Sequence, residues 1–289
     1  MDALALIEAE LTGAMLRAEA NGAPPKLAGA MRHALFPRGA RVRPRLAIAV
    51  AAACGATAFA PAIAAGAALE LLHCASLVHD DLPCFDDASL RRGKPSVHAA
   101  FGEAIAVLAG DALIVLAFQT LAHGCMADQT RLAPLTLIIA QAVGMPSGIV
   151  AGQAWESEAQ IDVARYQRAK TGALFAGAAM AGATAAGQPA DPWRGLGEAL
   201  GDAYQVADDL CDAAGSLAES GKLPGRDAAK ARPSMVRERG IEGALDYLDQ
   251  LADAAAASIP PCPGRAGLQA LMIQEAKRLV PKSLARVAA

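Results

Sequence analysis

Aromatic residues make up only 4% of this chain, and alternating runs of β-branched side chains are nearly absent. Sheets draw on both, so the missing signals leave helices as the building material. Charged residues are also few, at 19%, the net charge is −3, and no long basic run occurs. Binding a nucleic-acid backbone needs a basic face, so a nucleic-acid partner is set aside. The six cysteines (Cys54, Cys74, Cys84, Cys125, Cys211, Cys262) include no Cys-x-x-Cys pair. That argues against a disulfide framework or a zinc site and for reduced thiols in a cytoplasmic protein. The N-terminus, "MDALALIEAELTGAMLRAEANG", lacks the basic start and unbroken apolar run of a signal peptide and reads as an amphipathic helix ending near Asn21-Gly22. Charge is missing altogether from Leu46 to Leu69, a stretch long enough to cross a bilayer. Gly55 and Pro61 interrupt it and alanine dominates it, so two buried helices joined at "CGATAFAP" are expected and no membrane span.

What is present is apolar and helical in period. The 289 residues are 54% hydrophobic, enough for a continuous core in one domain covering 1–289. Gly and Pro clusters mark breaks near 22–25, 55–61, 93–95, 144–148, 187–192, 221–225 and 259–264. Between them the spacing predicts helices at about 2–20, 26–35, 41–54, 61–85, 100–123, 131–143, 147–158, 163–186, 193–214, 227–239, 241–257 and 266–279. Several central ones are apolar on every face, as buried helices are, so the fold class is all-α.

Against this background the segment "HDDLPCFDDASLRRGKP", His79 to Pro95, stands out. It crowds Asp80, Asp81, Asp86 and Asp87 together after an apolar helix, with Pro83 set to bend the chain between them. A second acidic cluster, "YQVADDLCDAAG", holds Asp208, Asp209 and Asp212, of which Asp208 and Asp212 are four apart and share a helix face. Both clusters lie at the C-terminal part of apolar segments, where the helix dipole disfavours anions, so each is costly unless cations offset it. Hard divalent cations take oxygen ligands, and Mg²⁺ typically uses one or two carboxylates with phosphate and water. Two such clusters facing each other across a bundle would hold several Mg²⁺ ions with a diphosphate between them. Two acidic surface turns are the bland alternative. A carboxylate-bridged di-iron bundle would need Glu and Glu-x-x-His, which neither cluster contains. Arg91 and Arg92 follow the first cluster directly, and "FPRGARVRPRL" supplies Arg38, Arg41 and Arg43. Guanidinium groups bind phosphate oxygens in pairs, so the arginines beside the carboxylates point to an anionic ligand.

These motifs resemble those of the trans-polyprenyl diphosphate synthases. "DDLPCFD" is similar to that family's Asp-Asp-x4-Asp motif and "DDLCD" to its Asp-Asp-x2-Asp motif, and the likeness extends through "LRRGKPSVH", "AVLAGDAL", "AGQAWE", "KTGALF" and "GKLPGRD". Within the family the chain looks most like the short-chain geranylgeranyl diphosphate synthases of bacteria. The resemblance implies an isoprenoid-synthase helical bundle around a central apolar cavity, a homodimer, and about three Mg²⁺ ions, with Mn²⁺ as a possible substitute. It implies that Asp80 and Asp86 ligate two Mg²⁺ ions and Asp208 the third, with Asp81 and Asp212 supporting and Asp209 in the same catalytic motif. It places Arg91, Lys170, Thr171, Gln205 and Lys222 on an allylic diphosphate (dimethylallyl, geranyl or farnesyl). It places Arg43, His73 and Arg92 on isopentenyl diphosphate, with Arg232 as a further substrate-binding cation. The implied chemistry is ionisation of the allylic C–O bond, attack by the isopentenyl double bond and loss of a proton.

In similar farnesyl synthases an aromatic residue five positions before the first Asp closes the cavity; here that position is Ala75, near Leu72. The resemblance therefore favours a C20 product, with Pro83 and Cys84 of the longer first motif and Leu113, Ala117 and Phe118 also shaping the floor. Two departures stand out. The family's Gly-Gly-Lys-Arg-x-Arg-Pro reads "RGARVRP", so Ala40 replaces the isopentenyl-binding lysine unless Arg38 or Arg41 substitutes, and the late Lys-x-Thr reads Arg232-Pro233-Ser234. A farnesyl or geranyl diphosphate synthase, or a weakly active subunit of a hetero-oligomer, is the alternative. A terpene cyclase-like lyase usually lacks the second motif and the Arg-Arg-Gly-Lys segment, and a non-catalytic subunit would have lost an aspartate motif.

Overall fold

A computed structural model describes residues 2–20, 22–36, 39–160, 162–214, 234–280 and 284. The chain opens with α1 (Ala3–Glu19), whose first turn is capped by Asp2: its carboxylate accepts from the Leu4 and Ala5 amides at 3.0 and 3.1 Å. α2 (Pro25–Leu35) and α3 (Val42–Ala53) follow, and Gly55, at φ +82°, ends α3. The uncharged stretch thus breaks into two helices, the second being α4 (Ala60–Asp80). α5 (Val97–Phe101), α6 (Glu103–Gly124), α7 (Leu132–Val143), α8 (Ile149–Trp155) and α9 (Val163–Gln167) continue the order. A π turn (Arg168–Gly172) leads into α10 (Ala173–Ala185), followed by α11 (Arg194–Ala214), α12 (Met235–Ala257) and α13 (Arg265–Leu279).

α10 is the centre of the bundle. Every residue from Leu174 to Ala185 is buried, and its alanines and glycines let α3, α4, α7 and α11 close around it. α4 and α6 form the most extensive helix pair. A Cβ on Gly110 would lie 2.0 Å from the His79 ring, and one on Gly124 2.1 Å from the Ala64 Cβ. These two contacts fix an antiparallel register, which sets Leu113 level with Ala75 and Ala117 level with Leu72. One large apolar core runs through the bundle, and a smaller cluster around Ala203, Val206, Leu210 and Leu248 joins α11 to α12. α4 and α6 are each long and apolar enough to cross a membrane by length and composition; 78% of the most apolar window of α4 is buried inside the bundle, and 44% of that of α6.

The observed elements correct several sequence expectations. The helix expected to run to 85 stops at Asp80, because Pro83 cannot continue it and the chain turns through Leu82–Asp86. The helix expected from 100 is divided at Gly102, at φ +90°. The helices expected over 227–239 and 241–257 are indeed separated at Gly240, whose backbone (φ 73°, ψ 176°) is not helical, so α12 is two helices meeting at a kink; 227–233 lies outside the described residues. A two-residue hairpin was not anticipated: β1 (Leu90–Arg91) pairs antiparallel with β2 (Lys94–Pro95). Its loop is Arg92-Gly93, both at positive φ (52° and 75°), the geometry of the tight turn that twists with the strands.

One ion cluster ties the N-terminal helices together. Arg41, with a fully buried side chain, donates to Glu8 (2.9 Å), Glu70 (2.6 Å) and the Leu35 carbonyl (2.9 Å). Removing one partner of a buried pair strands the other charge, and the Glu70 side chain is only 2% exposed. Arg41→Ala is therefore expected to lower stability by about 3–5 kcal/mol. Urea unfolding checks this, and a loss within ~0.5 kcal/mol would mean that Glu70 finds another partner.

Candidate active site

The turn after α4 folds the first acidic cluster onto itself. The Asp86 amide donates to the Asp80 carbonyl at 3.0 Å and the Ala88 amide to the Asp81 carbonyl at 3.1 Å. Asp80 and Asp86 are thereby gathered with Glu156, one carboxylate oxygen of each lying within 4.8 Å of the others. Asp80 Oδ1 is buried without a hydrogen bond, although Lys170 Nζ lies 3.7 Å away. Three converging carboxylates with an orphaned buried oxygen fit a hard divalent cation such as Mg²⁺. Glu156, at the end of α8, was not singled out from the sequence, though the quoted "AGQAWE" contains it. Lys170 Nζ and the Tyr166 hydroxyl each donate to Glu156 Oε1 at 2.6 Å, and Gln153 Nε2 donates to Oε2 at 3.1 Å.

The aspartates next to these do different work. Asp81 is held by Arg91, whose Nη2 donates to Oδ1 at 2.5 Å and whose Nε lies 3.1 Å from both oxygens. Burial raises the Asp81 carboxyl above its ordinary pKa, with Arg91 pulling the other way. Arg91 also reaches Asp80 at 3.5 Å. On α11, Asp209 accepts from the Met235 amide at 2.7 Å and from Gln205 Nε2 at 3.3 Å, and so anchors the start of α12. Asp208 instead lies close enough to act electrostatically on Arg43 and Tyr204. Asp212 is one turn beyond it. Thr171 Oγ1 donates to Gln205 Oε1 at 3.4 Å, so the π turn that carries Lys170 and Thr171 is bound to α11. Insertions of this kind occur often at functional sites.

Cationic groups gather around His73 of α4, seven residues before Asp80. Arg43 Nε and His73 Nδ1 are buried and have no hydrogen-bond partner among the described residues. Arg43 stacks 4.6 Å above the Phe175 ring, which in turn packs 4.7 Å from Tyr204. Burial lowers the Arg43 pKa, and burial with the charges of Arg43, Arg92 and Arg91 holds His73 well below its ordinary value. Burial also pushes the Tyr204 hydroxyl up to about 12. Unpaired buried donors among guanidinium groups are what an anion such as a diphosphate satisfies. Arg92 sits at the hairpin tip against Gly39, where a Cβ would lie 2.9 Å from its guanidinium. Arg41 is occupied by Glu8 and Glu70, so it does not stand in for the lysine replaced by Ala40. Arg38, Lys222 and Arg232 lie outside the described residues. Leu72, Ala75, Leu113 and Ala117 are buried on the facing sides of α4 and α6, and Phe118 is half-buried.

A sequence model of the polyprenyl synthetases matches residues 24–257. The chain belongs to the polyprenyl synthetase family. Among relatives in that family, the geranylgeranyl diphosphate synthase of Cereibacter sphaeroides is 51% identical over 96% of this chain and 97% of its own length. The geranylgeranyl diphosphate synthase of Rhodobacter capsulatus is 49% identical over 93% and 92%. Solved polyprenyl synthetase folds superpose closely. The geranyltransferase of Legionella pneumophila gives a TM-score of 0.79 at 25% identity, covering 98% of this chain and 95% of its own. An FPP/GFPP synthase from Zymomonas mobilis gives 0.75 at 32%, covering 96% and 100%. The Helicobacter pylori geranyltransferase, solved with magnesium and isoprenyl diphosphate, gives 0.76 at 26%, covering 96% and 98%. All three share the all-α architecture.

Proposed function

We propose that this chain is a Mg²⁺-dependent prenyltransferase that condenses isopentenyl diphosphate with an allylic diphosphate and makes geranylgeranyl diphosphate (C20). One observation carries the reading: carboxylates of Asp80, Asp86 and Glu156 converge, and the protein also buries Arg43 Nε and His73 Nδ1 without a hydrogen-bond partner among the described residues. Asp80 and Asp86 would hold two of about three Mg²⁺ ions, with Glu156 beside them, and Asp208 the third; Mn²⁺, with the same preference for oxygen, would substitute. When bound, the metal supplies positive charge that stabilises the departing diphosphate. Lys170, poised between Glu156 and Asp80, shifts onto that diphosphate with Thr171 and Gln205. Arg43, Arg92 and His73 hold isopentenyl diphosphate. The allylic C–O bond breaks with its electron pair leaving on the diphosphate, the isopentenyl double bond forms the new C–C bond, and a proton is lost to the released diphosphate. The apolar walls of α4, α6 and α10 keep water from the allylic cation.

The small Ala75, level with Leu113, and relatives named for the C20 product support that chain length. The reading also includes one domain over 1–289, a homodimer and a cytoplasmic location. A second copy would cover the exposed apolar face of α6 at Leu108 and Val115, and six free thiols suit a reducing compartment. Purified protein incubated with Mg²⁺, labelled isopentenyl diphosphate and farnesyl diphosphate is expected to give C20, and EDTA to abolish it. No elongation from any allylic primer would overturn the assignment. Short products alone would make it a farnesyl or geranyl diphosphate synthase, and elongation only with a second subunit would make it half of a hetero-oligomer.

A further inference from the structure

A pocket of about 550 Å³ opens beside α10, on the side away from Phe175. Phe175 faces Arg43 and Tyr204, whereas Ala173, Ala176 and Met180 line the pocket, more than a quarter-turn round the same helix. Its size falls in the range of about 300–1,000 Å³ usual for small-molecule sites. The walls are mixed: Ala142 from α7, Trp155 from the end of α8, Ala173, Ala176 and Met180 are apolar, and Gln141 and Ser147 are polar.

The rim is cationic. Arg165 from α9, Arg168 from the π turn and Arg194 from the start of α11 border the pocket against one carboxylate, Glu198. Arg165 and Arg194 pair with Asp162 (3.3 Å) and Asp191 (3.8 Å), each three residues earlier. Those pairs are solvent-exposed, so they hold the guanidinium groups weakly. Arg168 makes no hydrogen bond or ion pair among the described residues and acts only at a distance on Asp202. A bare anion would leave the apolar part of the walls wet, and a hydrocarbon would leave the three guanidinium groups without a partner. A molecule with a phosphate head and an apolar tail satisfies both.

We propose that this pocket is a second ligand site, separate from the metal site, for an isoprenoid bearing a phosphate or diphosphate head. The choice of an isoprenoid rests on the reading above that the chain makes prenyl diphosphates. The arginines take phosphate oxygens and the walls of α7 and α10 take the tail. The inner wall is thin: a Cβ on Gly177 would lie 2.6 Å from the Ala142 Cβ and 3.8 Å from Leu69 of α4. A ligand here therefore presses on the two helices that carry Asp80 and the Lys170 turn.

Trp155 reports on the site, because the chain has two tryptophans and the other, Trp193, is buried. The full-length protein is titrated in EDTA, which removes the metals that the allylic diphosphate needs, with isopentenyl diphosphate present to fill the site of Arg43, Arg92 and His73, while tryptophan emission is followed. Geranylgeranyl diphosphate is expected to give a saturable change in the wild type and in Asp208→Ala. Geranylgeraniol, without the head, and inorganic diphosphate, without the tail, are each expected to bind at least about tenfold more weakly. Arg165→Glu/Arg168→Glu/Arg194→Glu is expected to lose the change, and Ala173→Phe, which fills the pocket and leaves the charges alone, to weaken it. No saturable change in the wild type, wild-type affinity in both variants, or equal binding of inorganic diphosphate overturns the proposal. Turnover with Mg²⁺ is measured separately and expected to be unchanged in the arginine variant. Its absence in the wild type would count against the prenyltransferase reading, while the EDTA titration still reads the pocket.

Discussion

Asp80→Ala and Asp208→Ala are each expected to lower turnover by about three orders of magnitude while leaving the helical content and the melting curve close to wild type. The metal's stabilisation of the leaving diphosphate is worth several kcal/mol, and every 1.36 kcal/mol is a factor of ten in rate. Asp80→Ala does not strand a buried partner as Arg41→Ala does. Asp80 Oδ1 is already without a hydrogen bond, and its cationic neighbours Lys170 and Arg91 keep Glu156 and Asp81. Asp209→Ala makes the instructive contrast. Its carboxylate accepts from the Met235 amide, so its loss should cost about 1–2 kcal/mol of stability through the start of α12. Steady-state rates at saturating Mg²⁺ and thermal melts on the same samples separate the two behaviours. Rates within tenfold of wild type for Asp80→Ala would refute the metal assignment.

That contrast marks where the sequence is legible and where it is not. The two acidic clusters could be read directly, because carboxylates crowded at helix C-termini are costly in any fold and demand a cation. The break at Gly55–Pro61 was equally plain. Asp208 and Asp209 are neighbours in one motif, however, and only the packing of α12 against α11 shows that Asp209 holds a backbone amide. Arg41 and Arg43 present the same difficulty. Both belong to a run of alternating arginines, and what separates them is a pair of glutamates, one 33 residues before Arg41 and one 29 after it. Glu156 had no local signal strong enough to find it: a single acidic residue at the end of a short helix is usually solvated. It joins the site because the π turn brings Lys170 onto it from the next segment. The hairpin had a signal that went unread, an Arg-Gly pair of loop length between short extended residues.

Ala75→Phe is expected to shift the product from C20 to C15. Ala75 is buried, five residues before Asp80 on α4, so its side chain lies about 7.5 Å below the Asp80 carboxylate along the helix axis. The facing position on α6 is Leu113, with Ala117 one turn further down at the level of Leu72; all are buried, so a ring at Ala75 enters the space between the helices and has no route to solvent. Filling that space costs about 1–3 kcal/mol of overpacking strain if the helices hold their spacing. That cost falls on the end of a long tail, not on the diphosphate groups. Turnover with dimethylallyl diphosphate should therefore stay within about tenfold, while elongation of farnesyl diphosphate stops. Chromatography of the dephosphorylated products from both primers reads the outcome. An unchanged C20 product would show that the tail does not pass Ala75 and would move the floor toward Phe118, the half-buried ring lower on α6. Loss of all products, with the melting temperature also lowered, would show that the ring has displaced α4 and with it the carboxylates that α4 ends on.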